Sequence, residues 1–287
     1  MGVKRIGILT DSVNSVFVRE AMQGFERALQ GKDASLELFE LHELDEVSKN
    51  REIERLALEK AADAFVLAHL PFNYRQAALF HDQKIPLGYL AGRLEGVDWV
   101  MVDEVQGAYD AARHLLAMGH RRIAMVSGPP VALESRLRED GFLRALKEEG
   151  LSAGREAQVK ILNFTEDEGY EAGHLLTRLP EPPSAVFVAA GDLTALGVIS
   201  ALHEHGLSIP RDISVVGYDD LAFAGHLDPP LTTVRQPLAD MGAQLMVRML
   251  EALKEGPAHR CGGELVAATL MVRQSTGRPA KTAALKA

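Results

Sequence analysis

Short apolar runs alternate along the chain with longer segments in which apolar residues recur every three or four positions. The runs have the length of buried strands, and the longer segments, of about 10 to 15 residues, are typical of amphipathic helices. The predicted strands are 6–10, 36–41, 64–68, 87–90, 99–102, 123–127, 158–162, 185–189, 214–217 and 269–272. The predicted helices are 16–29, 49–62, 74–83, 106–118, 136–149, 166–178, 193–205 and 238–254. This alternation predicts an α/β protein built from parallel βαβ units, with helices on both faces of a sheet.

The chain also contains an internal repeat with a constant offset of 117 residues. The pairs that share this offset are Arg5–Leu9 with Arg122–Val126, Gly24–Phe25 with Gly141–Phe142, and Arg27–Leu29 with Arg144–Leu146. One offset across separated features predicts two halves built on a single plan of strand, loop and helix. Because no Gly/Ser-rich linker separates the halves, we expect tight crossings of the chain between them.

Composition narrows the possible functions. The 287 residues include 31 basic and 40 acidic side chains, a net charge of -9, which argues against an extended nucleic-acid surface on this chain. The single cysteine, Cys261, excludes an internal disulfide and a cysteine-based zinc site. No apolar stretch has the length of a membrane span or of a signal-peptide core. We therefore expect a cytoplasmic protein that binds neither membrane, metal nor cofactor.

Polar residues follow several predicted strands, whereas the common phosphate-loop, nucleophile-elbow and zinc-protease motifs are absent from the sequence. Asp11, His69, Asp192 and Asp219 each lie at or just after the end of a predicted strand. Doubly wound sheets bind ligands at the carboxyl ends of their strands. Two such edges facing each other would enclose a small polar ligand.

Several segments carry a resemblance to a known family. They are VVGYDD at 215–220, PLTTVRQP at 230–237, LMVRQST at 270–276, LLAMGHRRIA at 115–124, REDGF at 138–142 and DLTALG at 192–197. Together they resemble the lactose/galactose-repressor (LacI/GalR) family of bacterial transcription regulators. The resemblance extends from about residue 4 to 279. It is weaker in the first half, where residues 14–17 match the family's Asn-Pro-Phe-Phe loosely.

The resemblance implies a periplasmic-binding-protein-like fold, with two doubly wound parallel-sheet lobes joined by three chain crossings. One lobe is expected at 1–103 and 237–263, and the other at 104–236 and 264–287. It also implies a homodimer that binds a small effector, a sugar or a nucleobase or nucleoside, between the lobes. In the family a helix-turn-helix headpiece precedes this core. We expect operator DNA to be contacted only through such a headpiece, which is not present in this chain.

The same resemblance suggests the effector-binding residues. Arg138 matches the family's effector-binding arginine, with a surface position on its helix as the alternative. Asp219 matches the ligand-binding aspartate, and its alternative is a structural turn. Phe164 matches an aromatic residue that covers one ligand face, although a core position is equally compatible with a phenylalanine.

The remaining candidates are less specific. Asp11 either contacts the effector or caps the following helix, and Phe17 either contacts it or packs that helix. Gln236 lies at a chain crossing and is assigned to the ligand, the hinge or both. The other candidates, at polar positions near the predicted ligand, are His69, Glu134 and Asp192. Gly191 departs from the family, which has Asn before Asp192, and it leaves room for a bulkier ligand or a water.

Two rival functions use the same fold or the same residues. A solute-binding protein of a transporter is the first alternative, and it predicts a signal peptide or a lipidated cysteine at the start. A sugar-active hydrolase is the second, with Asp219 and Asp220 as its carboxylate pair. Adjacent residues on an extended segment point to opposite sides, so they form a poor acid/base pair. We therefore expect a protein that is not an enzyme.

Overall fold

Strands and helices alternate along nearly the whole chain, in a computed structural model that describes residues 2–13, 15–41, 44–68, 70, 72–152 and 158–280. Two short 3₁₀ turns, Ala224–His226 and Gly256–Ala258, accompany the regular elements. The strands are β1 (Lys4–Thr10), β2 (Ala34–Glu40), β3 (Ala64–Ala68), β4 (Leu87–Leu90), β5 (Asp98–Val102), β6 (Ile123–Ser127), β7 (Gln158–Lys160), β8 (Ala185–Val188), β9 (Ser214–Asp219), β10 (Thr232–Arg235), β11 (Gly263–Val266) and β12 (Thr269–Met271). The helices are α1 (Val16–Leu29), α2 (Glu46–Leu58), α3 (Tyr74–Asp82), α4 (Glu104–Ala117), α5 (Leu133–Glu148), α6 (Glu166–Thr177), α7 (Asp192–Glu204) and α8 (Leu238–Glu255).

The chain forms two compact units and passes between them three times. Unit 1 contains the residues up to Val102 and Pro237–Val266, and unit 2 contains Asp103–Gln236 and the residues from Ala267 onward. The third crossing lies three residues later than the expected lobe boundary, because β11 pairs with β5 and so belongs to unit 1.

Each unit has a six-stranded sheet, and the two sheets have equivalent strand orders. The order is β11-β5-β4-β3-β1-β2 in unit 1 and β12-β10-β9-β8-β6-β7 in unit 2. The described pairings are parallel except for β10 with β12, which is antiparallel. β1 and β6, the strands of the 117-residue repeat, occupy equivalent places in the two sheets, so the repeat predicted from sequence is confirmed as two units of one topology.

The repeated glycines explain why the pattern recurs. A Cβ on Gly24 would lie 1.8 Å from the carbonyl oxygen of Ala239, and one on Gly141 would lie 2.1 Å from that of Val105. These carbonyls belong to α8 and α4, which pack on α1 and α5 respectively. Each unit thus uses a glycine to bring two helix backbones into contact, and a larger side chain would force them apart.

The central strands are buried because their apolar runs lie between two helical layers. Every residue of β3, β6 and β8 is buried, as is the 6–10 segment of β1.

The pattern of apolar residues did not predict strands β10 and β11. Two of the four residues of β10, Thr232 and Thr233, are polar but fully buried, and their hydroxyls have hydrogen-bond partners. Helix α2 begins three residues earlier than predicted, at an N-cap where Asp45 accepts from the backbone N–H of Ser48.

None of the helices that the structure describes combines the length and the apolar character needed to cross a membrane.

Candidate functional site

The carboxyl ends of four parallel strands in unit 2 gather polar side chains. Strands β6, β8, β9 and β10 run in one direction, so their carboxyl ends lie at the same edge of the sheet. Asp219 ends β9, Gln236 directly follows β10, and Asp192 lies four residues after β8. Arg138 reaches the same edge from α5, the helix that follows β6.

Arg138 is buried, with 5% of its surface exposed, so the alternative of a surface helix arginine is wrong. Its Nε and Nη2 donate to Glu104 at 2.7 and 3.2 Å, and its Nη1 donates to the carbonyl of Ala189 at 2.8 Å. Its guanidinium also lies 3.7 Å from the centre of the Tyr218 ring, a cation–π distance. Burial is the largest single influence on the pKa of Arg138 and lowers it. The charges of Glu104, Tyr218 and Asp219, with the hydrogen bonds to Glu104, together outweigh burial and raise the pKa, so the guanidinium stays charged.

Glu104 is the partner that the sequence did not reveal. It occupies the first turn of α4 and is 4% exposed, which is rare for a carboxylate without a cation beside it. An acidic residue in the first turn of a helix is common because of the helix dipole, so no sequence pattern connects Glu104 with Arg138, 34 residues away.

Asp219 combines a binding geometry with a strained backbone. Its φ of 103° lies in the left-handed region that side chains other than glycine rarely adopt. Its Oδ1 accepts from Gln236 Nε2 at 2.6 Å and lies 3.9 Å from Arg138 Nη2. Burial raises the pKa of Asp219 to about 6, against the lowering effect of Arg138 and Gln236, and Glu134 adds a further raising effect. Arg138, Gln236 and Glu134 therefore each act on Asp219.

The neighbouring Asp220 has a different role. It also has a positive φ, 59°, and its buried carboxylate pairs with Arg235 at 2.6 Å and with Arg273. It thereby fixes the turn after β9. An aspartate held by two arginines is a poor general acid, so the geometry does not favour the hydrolase alternative.

Asp192 does not have the exposure expected of an effector contact. Its side chain is completely buried, its Oδ1 accepts from the Thr233 hydroxyl at 2.6 Å, and its Oδ2 accepts from the Leu221 N–H at 2.8 Å. Burial and the charge of Asp219 raise its pKa to about 8. As the first residue of α7, Asp192 thus ties the turn after β9 to β10. Its contact with the effector stays a prediction.

Phe164 lies half-buried beside the strand-end residues. Its ring would lie 2.2 Å from a Cβ on Gly128, the residue after β6, and part of it packs on the hydrophobic core. Nearby, the Ser135 hydroxyl is buried and has no hydrogen-bond partner within the described residues. The sequence did not single out Ser135, because one serine in the first turn of a helix carries no distinguishing pattern.

Comparison with known proteins identifies the family. Residues 112–276 match the periplasmic binding protein-like domain family. The HTH-type transcriptional repressor PurR of Pectobacterium carotovorum is 30% identical over 262 residues, which cover 89% of this chain and 76% of that protein. The repressor CytR of Escherichia coli is 30% identical over 226 residues, 77% of this chain and 64% of that protein. This chain belongs to the LacI/GalR family.

Solved LacI/GalR-type structures agree with this assignment. The transcriptional regulator CelR in complex with cellobiose has a TM-score of 0.85 and 28% identity, covering 94% of this chain and 84% of that one. A LacI family regulator of Enterococcus faecium with bound ribose has a TM-score of 0.82 and 26% identity, covering 96% and 99%. The chain is thus the effector-sensing core of a LacI/GalR-type regulator.

The LacI/GalR candidates in unit 1 form a separate set. Asp11 follows β1 and pairs with Lys49 Nζ at 2.6 Å; it does not cap α1, whose N-cap residue is Ser15. Phe17 is half-buried and lies outside the buried face of α1, which is formed by Val18, Ala21, Gly24 and Phe25. His69 and Asn14 lie outside the described residues.

Gly191, the position at which this chain departs from the LacI/GalR pattern, has a φ of 107°, and a Cβ there would lie 2.6 Å from Asp219 Oδ2. The expectation of empty room at Gly191 is therefore corrected. The Asp219 carboxylate occupies the place that a side chain at residue 191 would need.

Proposed function

We propose that this regulator core senses a small polyhydroxylated effector, a sugar or a nucleoside, and that Asp219 is its principal hydrogen-bond acceptor. One observation carries the proposal. Asp219 Oδ1 is held by Gln236, whereas Oδ2 accepts no hydrogen bond within the described residues. A carboxylate fixed through one oxygen and open at the other is suited to accept from a ligand hydroxyl.

The surrounding residues support this acceptor in distinct ways. The guanidinium of Arg138 donates three hydrogen bonds to Glu104 and the Ala189 carbonyl, so its main role would be to place a positive charge beside the acceptor. Its Nη2 lies 3.9 Å from Asp219 Oδ1. Phe164 offers a half-buried ring to one face of a sugar or base. Glu134, also half-buried, adds a second carboxylate near Asp219. Asp192, which is fully buried, would support the site by holding the turn after β9 against β10.

Two solved relatives favour a sugar: their names state bound cellobiose and bound ribose. Effector binding would then act by population shift, stabilising the conformation of the core that it fits best. Asp11, Phe17 and His69 remain predicted contacts from unit 1. We also propose that the regulator is a homodimer that acts in the cytoplasm and contacts operator DNA through a helix-turn-helix headpiece. We propose no enzymatic activity, since the similar proteins are repressors.

Calorimetry with a panel of pentoses, hexoses, disaccharides and nucleosides tests the proposal. We expect one class to bind the wild-type chain and Asp219→Asn to weaken that binding about 10- to 100-fold, because a charge-assisted acceptor is lost. The matched control is Asp140→Asn, an exposed aspartate on the same helix as Arg138, which should keep wild-type affinity. Equal affinity in wild type and Asp219→Asn would refute the assignment of the acceptor, and failure of every compound to bind would refute the effector class.

A further inference from the structure

A second polar cluster lies in unit 1, at the amino-terminal end of β5. It consists of Asp98, His259 and Cys261, and one ligand atom from each lies within 4.8 Å of the other two. Asp98 is the first residue of β5, and the other two lie between the 3₁₀ turn after α8 and strand β11, which pairs with β5. This pairing brings together residues that are 161 positions apart in the chain.

The histidine is oriented as metal-binding histidines commonly are. His259 Nε2 lies 2.7 Å from Asp98 Oδ2, while Nδ1 lies 3.0 Å from Glu255 Oε2 on the last turn of α8. Glu255 at Nδ1 fixes the orientation of the ring, and Nε2, which faces Asp98, is the nitrogen that would bind a metal together with that carboxylate. The Gly262 N–H holds the second oxygen of Asp98 at 3.0 Å, so the aspartate is fixed as well.

The charges around the cluster favour a cation. Asp98 is 1% exposed, and two further carboxylates, Glu255 and Glu264, belong to the same surroundings. Arg248 approaches Asp98 at 4.0 Å, but it also lies 3.7 Å from Glu264, so its charge is shared between two carboxylates. Cys261 is exposed and provides an entry path for an ion.

We propose that Asp98, His259 and Cys261 form a zinc site. A nitrogen, a carboxylate oxygen and a sulfur suit Zn²⁺ much better than Ca²⁺ or Mg²⁺, which take oxygen ligands. Tetrahedral coordination separates the donor atoms by about 3.2 to 3.7 Å, so small side-chain shifts from the present geometry suffice. Binding displaces the proton of the Cys261 thiol and the proton shared by His259 and Asp98, and a water completes the coordination.

No sequence motif predicts this site, because its three residues come from two separate parts of the chain. The expectation that a single cysteine excludes a cysteine-based zinc site therefore holds only for sites with several cysteines. It does not extend to one thiolate supported by two other ligands, one of them distant in the chain. Strands β5 and β11 both lead directly into chain crossings, at Val102 and Val266. A bound ion would therefore join α8 to these two strands and stabilise unit 1.

Titration calorimetry of the full chain with Zn²⁺ alone, and with Mg²⁺ alone, tests the site. We expect one equivalent of Zn²⁺ and no Mg²⁺, with Cys261→Ser and His259→Gln each weakening zinc binding at least tenfold. Glu255→Gln should weaken it about 10- to 100-fold through the orientation of His259. His81→Gln, at an exposed histidine near Asp82, is the matched control and should bind zinc like wild type.

Cobalt substitution provides a second readout that depends on the sulfur. The Co²⁺-loaded chain should show a thiolate-to-cobalt charge-transfer absorption in the near ultraviolet, and Cys261→Ser should lose it. The absence of stoichiometric zinc binding would overturn the proposal, as would zinc affinity or a cobalt spectrum unchanged by Cys261→Ser. Either outcome would leave Asp98 and His259 as a hydrogen-bonded tie between β5 and the α8–β11 connection.

Discussion

Replacement of Arg138 by alanine should destabilise the protein strongly, because it removes one half of a buried ion pair. Glu104 would remain 4% exposed without its cation, and the Ala189 carbonyl would lose a donor at 2.8 Å. An uncompensated buried charge costs about 3–5 kcal/mol, well above the roughly 1 kcal/mol typical of a point substitution. We therefore expect Arg138→Ala to lower the free energy of unfolding by about 3–5 kcal/mol.

A double substitution separates this cost from the net stability of the pair. Glu104→Leu with Arg138→Met replaces both charges by apolar groups of similar size, a change that is often neutral or stabilising. We expect this double variant to stay within about 1 kcal/mol of wild type. The matched control is Arg136→Ala, two residues away on the exposed side of α5, which should change stability by less than about 0.5 kcal/mol.

Urea denaturation followed by far-ultraviolet circular dichroism measures these differences through the midpoint and slope of the transition. A loss below about 1 kcal/mol for Arg138→Ala would refute the argument from the buried pair. A double variant that loses as much as the single variant would refute it too. Because Arg138→Ala is expected to destabilise the fold, a loss of effector binding in that variant would not identify a ligand contact. The isosteric Asp219→Asn is the better binding test.

Three further predictions rest on other parts of the structure. Gly24→Ala should cost at least about 2 kcal/mol in urea denaturation, because its Cβ would meet the Ala239 carbonyl at 1.8 Å. Gly191→Ala should abolish effector binding in calorimetry by displacing the Asp219 carboxylate, 2.6 Å from the new Cβ; unchanged affinity would contradict this. Asp192, with its pKa raised to about 8, keeps a proton that the unfolded chain gives up near pH 4, so it lowers the free energy of unfolding as pH rises from about 4 to 8. Asp192→Asn should flatten that part of the denaturation-versus-pH curve, and an unchanged slope would contradict it.

The architecture was largely predictable because it depends on local patterns. Burial of parallel strands between helical layers produces short apolar runs, and each helix keeps an amphipathic period. The repeated Gly24 and Gly141 were visible as an offset of 117 residues, and the close helix contacts at both explain why glycine recurs there. Strand β10 escaped prediction because its buried threonines satisfy their hydroxyls with partners distant in sequence.

The resemblance to LacI/GalR proteins indicated Arg138, Asp219 and Gln236, and the structure brings these three side chains together at one sheet edge. The partnership of Arg138 with Glu104 was not predictable, nor was the burial of Asp192, because both depend on which side chains meet at the sheet edge. Gly191 shows the limit clearly. The sequence revealed a missing side chain, and the structure shows the Asp219 carboxylate in its place.

The sequence by itself therefore determined the order of strands and helices, the two-unit plan and the family. These follow from the periodicity of apolar residues and from short motifs, which neighbouring residues carry without reference to distant ones. Only the tertiary structure decided which charges pair, which carboxylates are buried and which side chains converge, as Asp98 and His259 do across 161 positions. The physical reason is that electrostatic and coordination energies depend on distances of a few ångströms, and those distances are set by packing between segments far apart in the chain.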